Sequence, residues 1–547
     1  MKKIIALIAV SILSLGIFAG CQKAATPAET PAETPAETPG EVSDGTLLLA
    51  EAQTAENSGR FPYVWVNRGG IVNLMMYRSL FLADPTLTKV EPDLAESFKL
   101  SDDGLTLTVV MKDGLKWSDG EALTAEDVKF SIATNLKASQ SSGIYTNAFS
   151  NIKGAKAWKE GAADLEGVKV DGKTITITLD AVTGNLVNVL GQFVILPKHK
   201  LENANPLEIH NDAFWKSPVT SGMYKVGEVV ENNYYTLVPS ENYEGTAPKI
   251  QKIQVNFIND LVAAAQAGKS DFITTNVSGQ ISEYNKIKSF KQYPVDILFY
   301  RYLVANIKDT EGKVNEKISD KRVREAILYA VDRKTLAESL YPELAALSNT
   351  GVPSGLGTYL KGAEDYAYNP EKAKELLKEA GFDFNQTLKI RYYYNDQTSI
   401  DFMDAVAFYL NEVGIKTDVM AFQNDATTEL YKTKDYDFAL KGLSAFGYEE
   451  WYGEYKSTQA NFKNILGGDT TFDALINKLV ATADPAERAS ILQDLQKLEQ
   501  ENLFKVPFFN LKQMIYVNND KVVIPAGVEF GNPWYNYDMQ FENWTVK

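Results

Sequence analysis

Two stretches of the chain alternate apolar and polar residues with the period of a half-buried strand. Between Phe98 and Met111, Leu105, Leu107 and Val109 alternate with Thr106 and Thr108, and Asp103-Gly104 supplies the turn chemistry of a hairpin. Val168 and Val170 lead into Asp171-Gly172, after which Ile175, Ile177 and Leu179 alternate with Thr174, Thr176 and Thr178. Each stretch predicts a hairpin with one apolar face and one wet face. Helical spacing appears elsewhere. Thr124-Ala125-Glu126-Asp127 reads as a helix start, because the Thr hydroxyl can accept an orphan backbone N–H and the acids sit in the first turn. From Asp320 to Arg333, the residues Val323, Ala326, Ile327, Ala330 and Val331 share one face, which predicts a single core-facing amphipathic helix. Asn369-Pro370 opens another, lined by Leu376, Leu377 and Ala380 and stopped by Gly381. Asp484-Pro485-Ala486-Glu487 repeats that start, with Ile491, Leu492, Leu495 and Leu498 at helical spacing. Strands and helices mixed without a regular βαβ period predict α/β lobes with mixed sheets rather than a barrel.

The amino terminus has a different pattern. Lys2 and Lys3 precede an apolar run from Ile4 to Ala19, short for the ~20 residues of a spanning helix but suited to a secretory signal, residues 1–20. The run ends Phe18-Ala19-Gly20-Cys21, which resembles a bacterial lipobox with Phe18 in place of the usual Leu. The resemblance implies that Cys21 is lipidated and becomes the new amino terminus. The other reading, a buried core cysteine behind an ordinary cleavage site, is weakened because this is the one cysteine of the chain. Two acyl chains, at ~0.8 kcal/mol per buried CH₂, suffice for stable anchoring. Residues 21–45 carry PAET three times between Pro27 and Thr38, with no large apolar side chain to pack. They predict an extended, disordered tether.

At 547 residues the chain is long enough for three or four domains of about 150 residues. Hydrophobic residues make up 45% and charged residues 23%, as in ordinary folded proteins, so most of the chain can bury a core. Lys+Arg 55 against Asp+Glu 71 leaves a net charge of −16, which repels phosphate backbones and excludes nucleic acid as an expected partner. With one cysteine and two histidines, His199 and His210, a disulfide framework and a Cys/His zinc site lack their ligands, so no metal site and no cofactor are expected.

The chemical motifs are weak. Ala263 to Ser270 reads AAAQAGKS, a loose phosphate-loop match, but Val262 to Ala267 has the pattern of a helix end capped by Gly268. Gly355-Leu356-Gly357 lacks the third glycine of a dinucleotide fingerprint and reads as a turn. Gly442-Leu443-Ser444-Ala445-Phe446-Gly447 is one residue too long for a serine nucleophile elbow, and His199 lies in Leu196-Pro197-Lys198-His199, which reads as a loop with no triad partner. Glu449-Glu450 beside Trp451 and Tyr452 suggests a glycosidase pair, yet neighbouring acids point apart and offer no catalytic spacing. No catalytic residue is assigned, and the protein is expected not to be an enzyme.

A longer signature runs through the mature chain. It begins with Glu91-Pro92-Asp93-Leu94-Ala95-Glu96-Ser97-Phe98, Ser101-Asp102-Asp103-Gly104-Leu105, Leu115-Lys116-Trp117-Ser118-Asp119-Gly120 and Leu123 through Ser131. It continues with Leu196 to His199, Thr220 to Val226, Gly268 to Asp271, Val323-Arg324-Glu325-Ala326-Ile327 through Arg333, Asn369-Pro370 to Phe382, and Val506-Pro507-Phe508-Phe509. In order and spacing this resembles the extracellular solute-binding proteins of the oligopeptide, dipeptide and nickel class, which serve ABC importers. The resemblance covers the chain from about Thr46 to its end. It implies an α/β, three-lobed fold of the type II periplasmic-binding-protein kind, with mixed β-sheets and an inserted extra lobe. Lobe I is expected at 46–82, 221–300 and 517–547, the inserted lobe II at 83–220, and lobe III at 301–516.

The same resemblance implies a function. Lobes I and III are expected to close over a small solute, most readily an oligopeptide held as an added strand, and to deliver it to an ABC permease and its ATPase. Flexing is expected near Arg301 and Tyr516. The protein is expected to be a monomer, lipid-anchored at Cys21 on the outer face of a Gram-positive-type cell membrane or on the periplasmic side otherwise. By position, Gly442 and Ser444 are the candidates for backbone bonds to ligand, Phe446 and Tyr448 for walls, and Tyr302 and Val304 for the crossing between lobes I and III. Trp65 and Trp451 are further candidate walls, with core packing as the other reading for each of these aromatics. Many peptide-binding members carry an Asp that pairs with the ligand ammonium where this chain has Phe446, and a phenyl ring cannot neutralise a buried charge. Either Glu449 or Glu450 takes that role, or the ligand has no free amino terminus. The alternatives to an oligopeptide are a carbohydrate or metal chelate on the same fold, or a surface receptor that senses peptides or adheres to hosts.

Overall fold

The computed structural model describes residues 45–53, 60–66, 70–309, 311–394 and 396–547. The signal segment, Cys21 and all of the tether but its last residue lie outside the described residues.

Both predicted hairpins form. Ala95–Leu100 pairs with Thr106–Met111 across a turn in which Gly104 takes a φ of +68°, a left-handed value that glycine adopts without penalty. Val168–Asp171 pairs with Thr174–Thr178, and the two hairpins join through Thr106–Met111 and Thr174–Thr178 into a four-stranded sheet. Leu107, Val109, Ile175 and Ile177 are buried and the intervening threonines half-buried, as period-two patterning requires. Ala125–Lys137 packs against this sheet, with a capping box at its start: the Thr124 backbone N–H donates to Asp127 Oδ2 at 2.7 Å.

Two larger mixed sheets carry the rest of the architecture. The seven-stranded sheet runs in the spatial order Phe290–Val295, Gln513–Asn518, Phe272–Thr275, Thr46–Glu51, Lys252–Phe257, Tyr234–Pro239, Tyr224–Val230. The six-stranded sheet runs Ala345–Leu347, Lys505–Leu511, Phe299–Ala305, Phe438–Ser444, Thr387–Tyr392, Lys416–Ala421. Only residues 296–298 and Lys512 separate strands of one sheet from strands of the other. One apolar core gathers Leu47, Leu107, Ile177, Val255 and Val517, so the four- and seven-stranded sheets share it. The other core, with Leu303, Ile327, Leu388, Leu440 and Phe508, is built mainly on the six-stranded sheet and takes in Ile273, Met514 and Tyr516 from the seven-stranded one.

The helices starting at Pro370 and Pro485 form over Pro370–Glu379 and Pro485–Asn502, capped by the side chains of Asn369 and Asp484. Leu261–Gln266 ends before Gly268 at φ +69°, which disposes of a phosphate loop there. Two readings are corrected. The helix expected through Arg333 stops at Ala330, because Val331 is extended and Asp332 caps a second helix, Arg333–Leu340, through the Thr335 N–H at 3.0 Å. A helical face at Val331 cannot by itself distinguish one helix from two that meet at a cap. His199, expected in a loop, lies in the short helix Lys198–Leu201, with Nε2 3.0 Å from Asp119.

Candidate functional site

The strand Thr46–Glu51 runs parallel to both of its neighbours, Lys252–Phe257 and Phe272–Thr275. In open α/β sheets, ligands settle outside the carboxyl ends of such strands, where the chain departs in opposite directions and leaves a crevice. A cavity of about 720 Å³ lies there, walled by Glu51, Phe272 and Thr274 from the strands and Ile71 to Leu74 from the helix Ile71–Met76. Pro533 and Tyr537 close another side, and Tyr63, Arg60 and His210 a third.

Polar groups line it throughout, from the half-buried Glu51, Arg60 and His210 to the exposed Gln140 and Asn211. Burial pushes the Glu51 carboxyl above the ordinary carboxylate range, while the Tyr235 hydroxyl, donating at 3.2 Å, pulls it back. Tyr63 Oη and His210 Nδ1 are buried with no hydrogen-bond partner among the described residues. Arg60 Nη1 donates at 3.2 Å to the His210 carbonyl and to Asn211 Oδ1. Apolar walls such as Leu49, Ile71 and Phe272 alternate with these polar groups, and a concave site that combines the two can hold and orient a small molecule.

The six-stranded sheet brings a second wall. Phe299–Ala305 and Phe438–Ser444 pair antiparallel, with Arg301 opposite Gly442 and Phe299 opposite Ser444. On its other side Phe438–Ser444 pairs with Thr387–Tyr392 only as far as Leu440, so residues 441–444 have no strand of the described residues beside them there. The segment 533–537 joins the two walls. Pro533 and Tyr537 face the cavity, whereas Trp534 meets Phe299 at 5.8 Å between ring centroids and Tyr535 meets Phe446 at 5.2 Å.

Gly442 is needed where it stands: a Cβ would come within 2.5 Å of Tyr394 Oη and 3.1 Å of the Phe299 ring. Its absence lets Arg301 fold under Tyr394, with the guanidinium carbon 3.7 Å from the Tyr394 ring centroid and 5.3 Å from that of Phe299. Arg301 is 8% exposed, and its Nε and Nη1 are buried without an acceptor among the described residues.

The residues expected to form the site fall into two groups. Gly442 and Ser444 lie at the end of Phe438–Ser444, Phe446 in the turn that follows, and Tyr448, Glu449 and Glu450 in the first turn of the short helix Tyr448–Gly453, with Ser444 exposed. The Tyr448 hydroxyl bonds that of Thr358, Glu449 is ion-paired with Arg488, and Glu450 Oε2 accepts the Phe446 N–H at 2.8 Å. Tyr302, Val304, Trp451 and Trp65 are fully buried and stand in the packed cores. Trp65 stacks on Phe193 and donates to the Val194 carbonyl at 2.9 Å. Tyr302 donates to Glu454 at 2.9 Å, and Glu454 also holds the ammonium groups of Lys441 and Lys505 at 2.8 and 3.0 Å. Burial raises the Glu454 carboxyl, and those two ammonium groups more than reverse the rise and hold it at about 2.

Sequence reasoning did not assign Glu51, Tyr63, His210 or Tyr394 to a site, and gave Arg301 only a hinge role. Two signals were present: Glu51 ends the apolar run Leu47-Leu48-Leu49-Ala50, and Arg301 interrupts the otherwise uncharged strand Phe299–Ala305. Among the described residues no group of three or more His, Cys, Asp and Glu side chains could hold a metal ion, and no helix is long and apolar enough to cross a membrane.

Comparison with known proteins adds three kinds of similarity. The family model described as bacterial extracellular solute-binding proteins, family 5, middle part, matches residues 89–469. A Brucella ovis protein described as an ABC transporter peptide-binding protein is 28% identical over 356 residues, which cover 63% of this chain and 63% of that protein. The chain thus spans about six tenths of the length of that relative. The glutathione-binding protein GsiB of Escherichia coli is 24% identical over 445 residues, 77% of this chain and 80% of its own. Among solved structures, the ABC transporter substrate-binding protein CtaP of Listeria monocytogenes superposes with a TM-score of 0.73 at 23% identity, covering 92% of this chain and all of that one.

Proposed function

From the premise that this chain belongs to the bacterial extracellular solute-binding proteins of family 5, we propose that it captures oligopeptides outside the membrane and hands them to an ABC permease with its ATPase. The observation that carries the peptide reading is the unpaired edge at residues 441–444, beside the exposed Ser444. An extended peptide can add there as a strand, drawing affinity from main-chain hydrogen bonds, while the 720 Å³ cavity nearby accommodates side chains. The Brucella relative is described as peptide-binding and GsiB as binding glutathione, itself a tripeptide, which supports the same class.

Capture works by closure of lobe I, built on the seven-stranded sheet, against lobe III, built on the six-stranded one, with lobe II as the insertion around the four-stranded sheet. The short connections at 296–298 and at Lys512 are the hinge. Aromatic contacts between Phe446 and Tyr535 and between Phe299 and Trp534 are the ones that closure makes and opening breaks. Ligand favours closure by binding the closed arrangement better than the open one. The protein acts as a monomer without catalysis, held to the membrane by lipid on Cys21. A second reading, a carbohydrate or metal chelate in the same cleft, is favoured by Phe446, since Glu449 and Glu450 already have partners.

Mass spectrometry of small molecules released from the full-length protein, purified gently from its own membranes, tests the proposal. A ladder of heterogeneous peptides is the expected result. A single sugar or chelate would replace the peptide reading with the second one.

A further inference from the structure

Arg301 is the outstanding charge at the junction of the two walls. It is more than nine-tenths buried, yet among the described residues Nε and Nη1 meet no acceptor and no carboxylate lies within ion-pair distance of it. The acids near this end of the sheet are occupied elsewhere: Glu449 by Arg488, Glu450 by the Phe446 N–H, and Asp296 by Lys512 at 3.7 Å. Asp396, which with Arg301 acts on the Tyr341 hydroxyl, caps a helix through the Ser399 N–H at 2.9 Å and the Ser399 hydroxyl at 2.7 Å.

Stacking on Tyr394 satisfies the faces of the guanidinium but none of its N–H groups, all of which lie in its plane. A buried cation left so is unfavourable unless something with matching acceptors arrives. The planar, two-oxygen group that fits a guanidinium edge is a carboxylate. Arg301 is also the direct strand partner of Gly442, on the strand whose far edge is unpaired, so a ligand lying along residues 441–444 brings one terminus to the junction.

We propose that Arg301, stacked under Tyr394 at the Gly442 gap, is the anchor for a carboxylate of the ligand, and that this cleft recognises an anionic group where an ammonium-binding acid would otherwise stand. The inference deepens the peptide-binding reading and rests on it for the claim that the carboxylate is a peptide's. Its core, recognition of a carboxylate, is separable.

The test is calorimetric titration of the full-length protein with three probe sets: randomised tetrapeptides as free acids with acetylated amino termini, the same peptides as carboxyl amides with free amines, and sugar acids beside their neutral sugars. Acetylated free acids should bind at least about tenfold more tightly than the amides, the scale of one charge-assisted hydrogen-bond set. Arg301→Gln should bring the two sets within about threefold, and Arg301→Lys, which keeps the charge but not the planar fork, should fall between. The wild-type ratio stands even if a variant folds poorly. Equal binding of acids and amides by the wild-type protein overturns the Arg301 assignment and leaves the peptide reading intact. Binding of sugar acids over neutral sugars, lost in Arg301→Gln, with no peptide bound, overturns the peptide reading and upholds Arg301. No preference for any carboxylate over its neutral counterpart, with no peptide bound, removes both.

Discussion

Replacing Glu499 by Gln should change how stability depends on pH. Glu499 is 1% exposed, accepts the Gly351 N–H and the Tyr455 hydroxyl at 3.0 Å each, and lies under the six-stranded sheet. Burial drives its carboxyl from 4.5 up to about 7, against the opposing pull of the Gly351 N–H and the Lys505 ammonium. The folded protein therefore keeps a proton that the unfolded chain releases between pH 4.5 and about 7. Because the native state binds more protons in that window, stability is greatest below it, falls as pH rises through it, and levels off above the folded value. A shift from 4.5 to about 7, at ~1.36 kcal/mol per pH unit, amounts to about 3 kcal/mol. Glu499→Gln keeps the shape and an acceptor for Gly351 but has no proton to lose. Urea unfolding followed by tryptophan fluorescence, at intervals from pH 4.5 to 8.5, should show the wild-type protein losing about 3 kcal/mol relative to the variant across that range. The other titrating groups cancel in the difference. Wild-type and variant stabilities that run parallel over the whole range would refute the reasoning, because a carboxyl that titrates alike folded and unfolded leaves no such difference.

Two further outcomes are expected. Glu454→Gln strands Lys505, which is fully buried, and Lys441 without their shared counter-charge, and should cost about 3–5 kcal/mol in urea unfolding; adding Lys505→Met should recover part of that loss, and no recovery would mean the ion cluster is not the cause. Cys21→Ser should move the protein from membrane fractions to the soluble fraction, and retention after a high-salt wash would contradict lipid anchoring.

Local rules carried a good part of the architecture. Alternation at Leu107, Val109, Ile175 and Ile177 and the caps at Thr124, Asn369 and Asp484 concern residues a few positions apart, so hydrophobic period and capping chemistry sufficed to place them. The same locality failed at Val331, where apolar spacing continued across a break that Asp332 imposes. The family could be read because its signature is a matter of order and spacing along the chain.

What only the tertiary structure decided is which residues share a wall. Glu51 and Tyr63 are near neighbours in sequence, but His210 and Tyr537 lie far along the chain from them and from each other, and the four meet because parallel strands leave a crevice at their carboxyl ends. Trp65, Trp451 and Tyr302 have the composition of a binding wall, but packing put them in the cores, since aromatic area is equally well buried against protein as against ligand. Arg301 shows the division most directly. Its sequence says only that a cation interrupts a buried strand; the fold, by withholding a side chain at Gly442 and, among the described residues, any acid within ion-pair distance, decides that the charge stands unpaired beside Gly442.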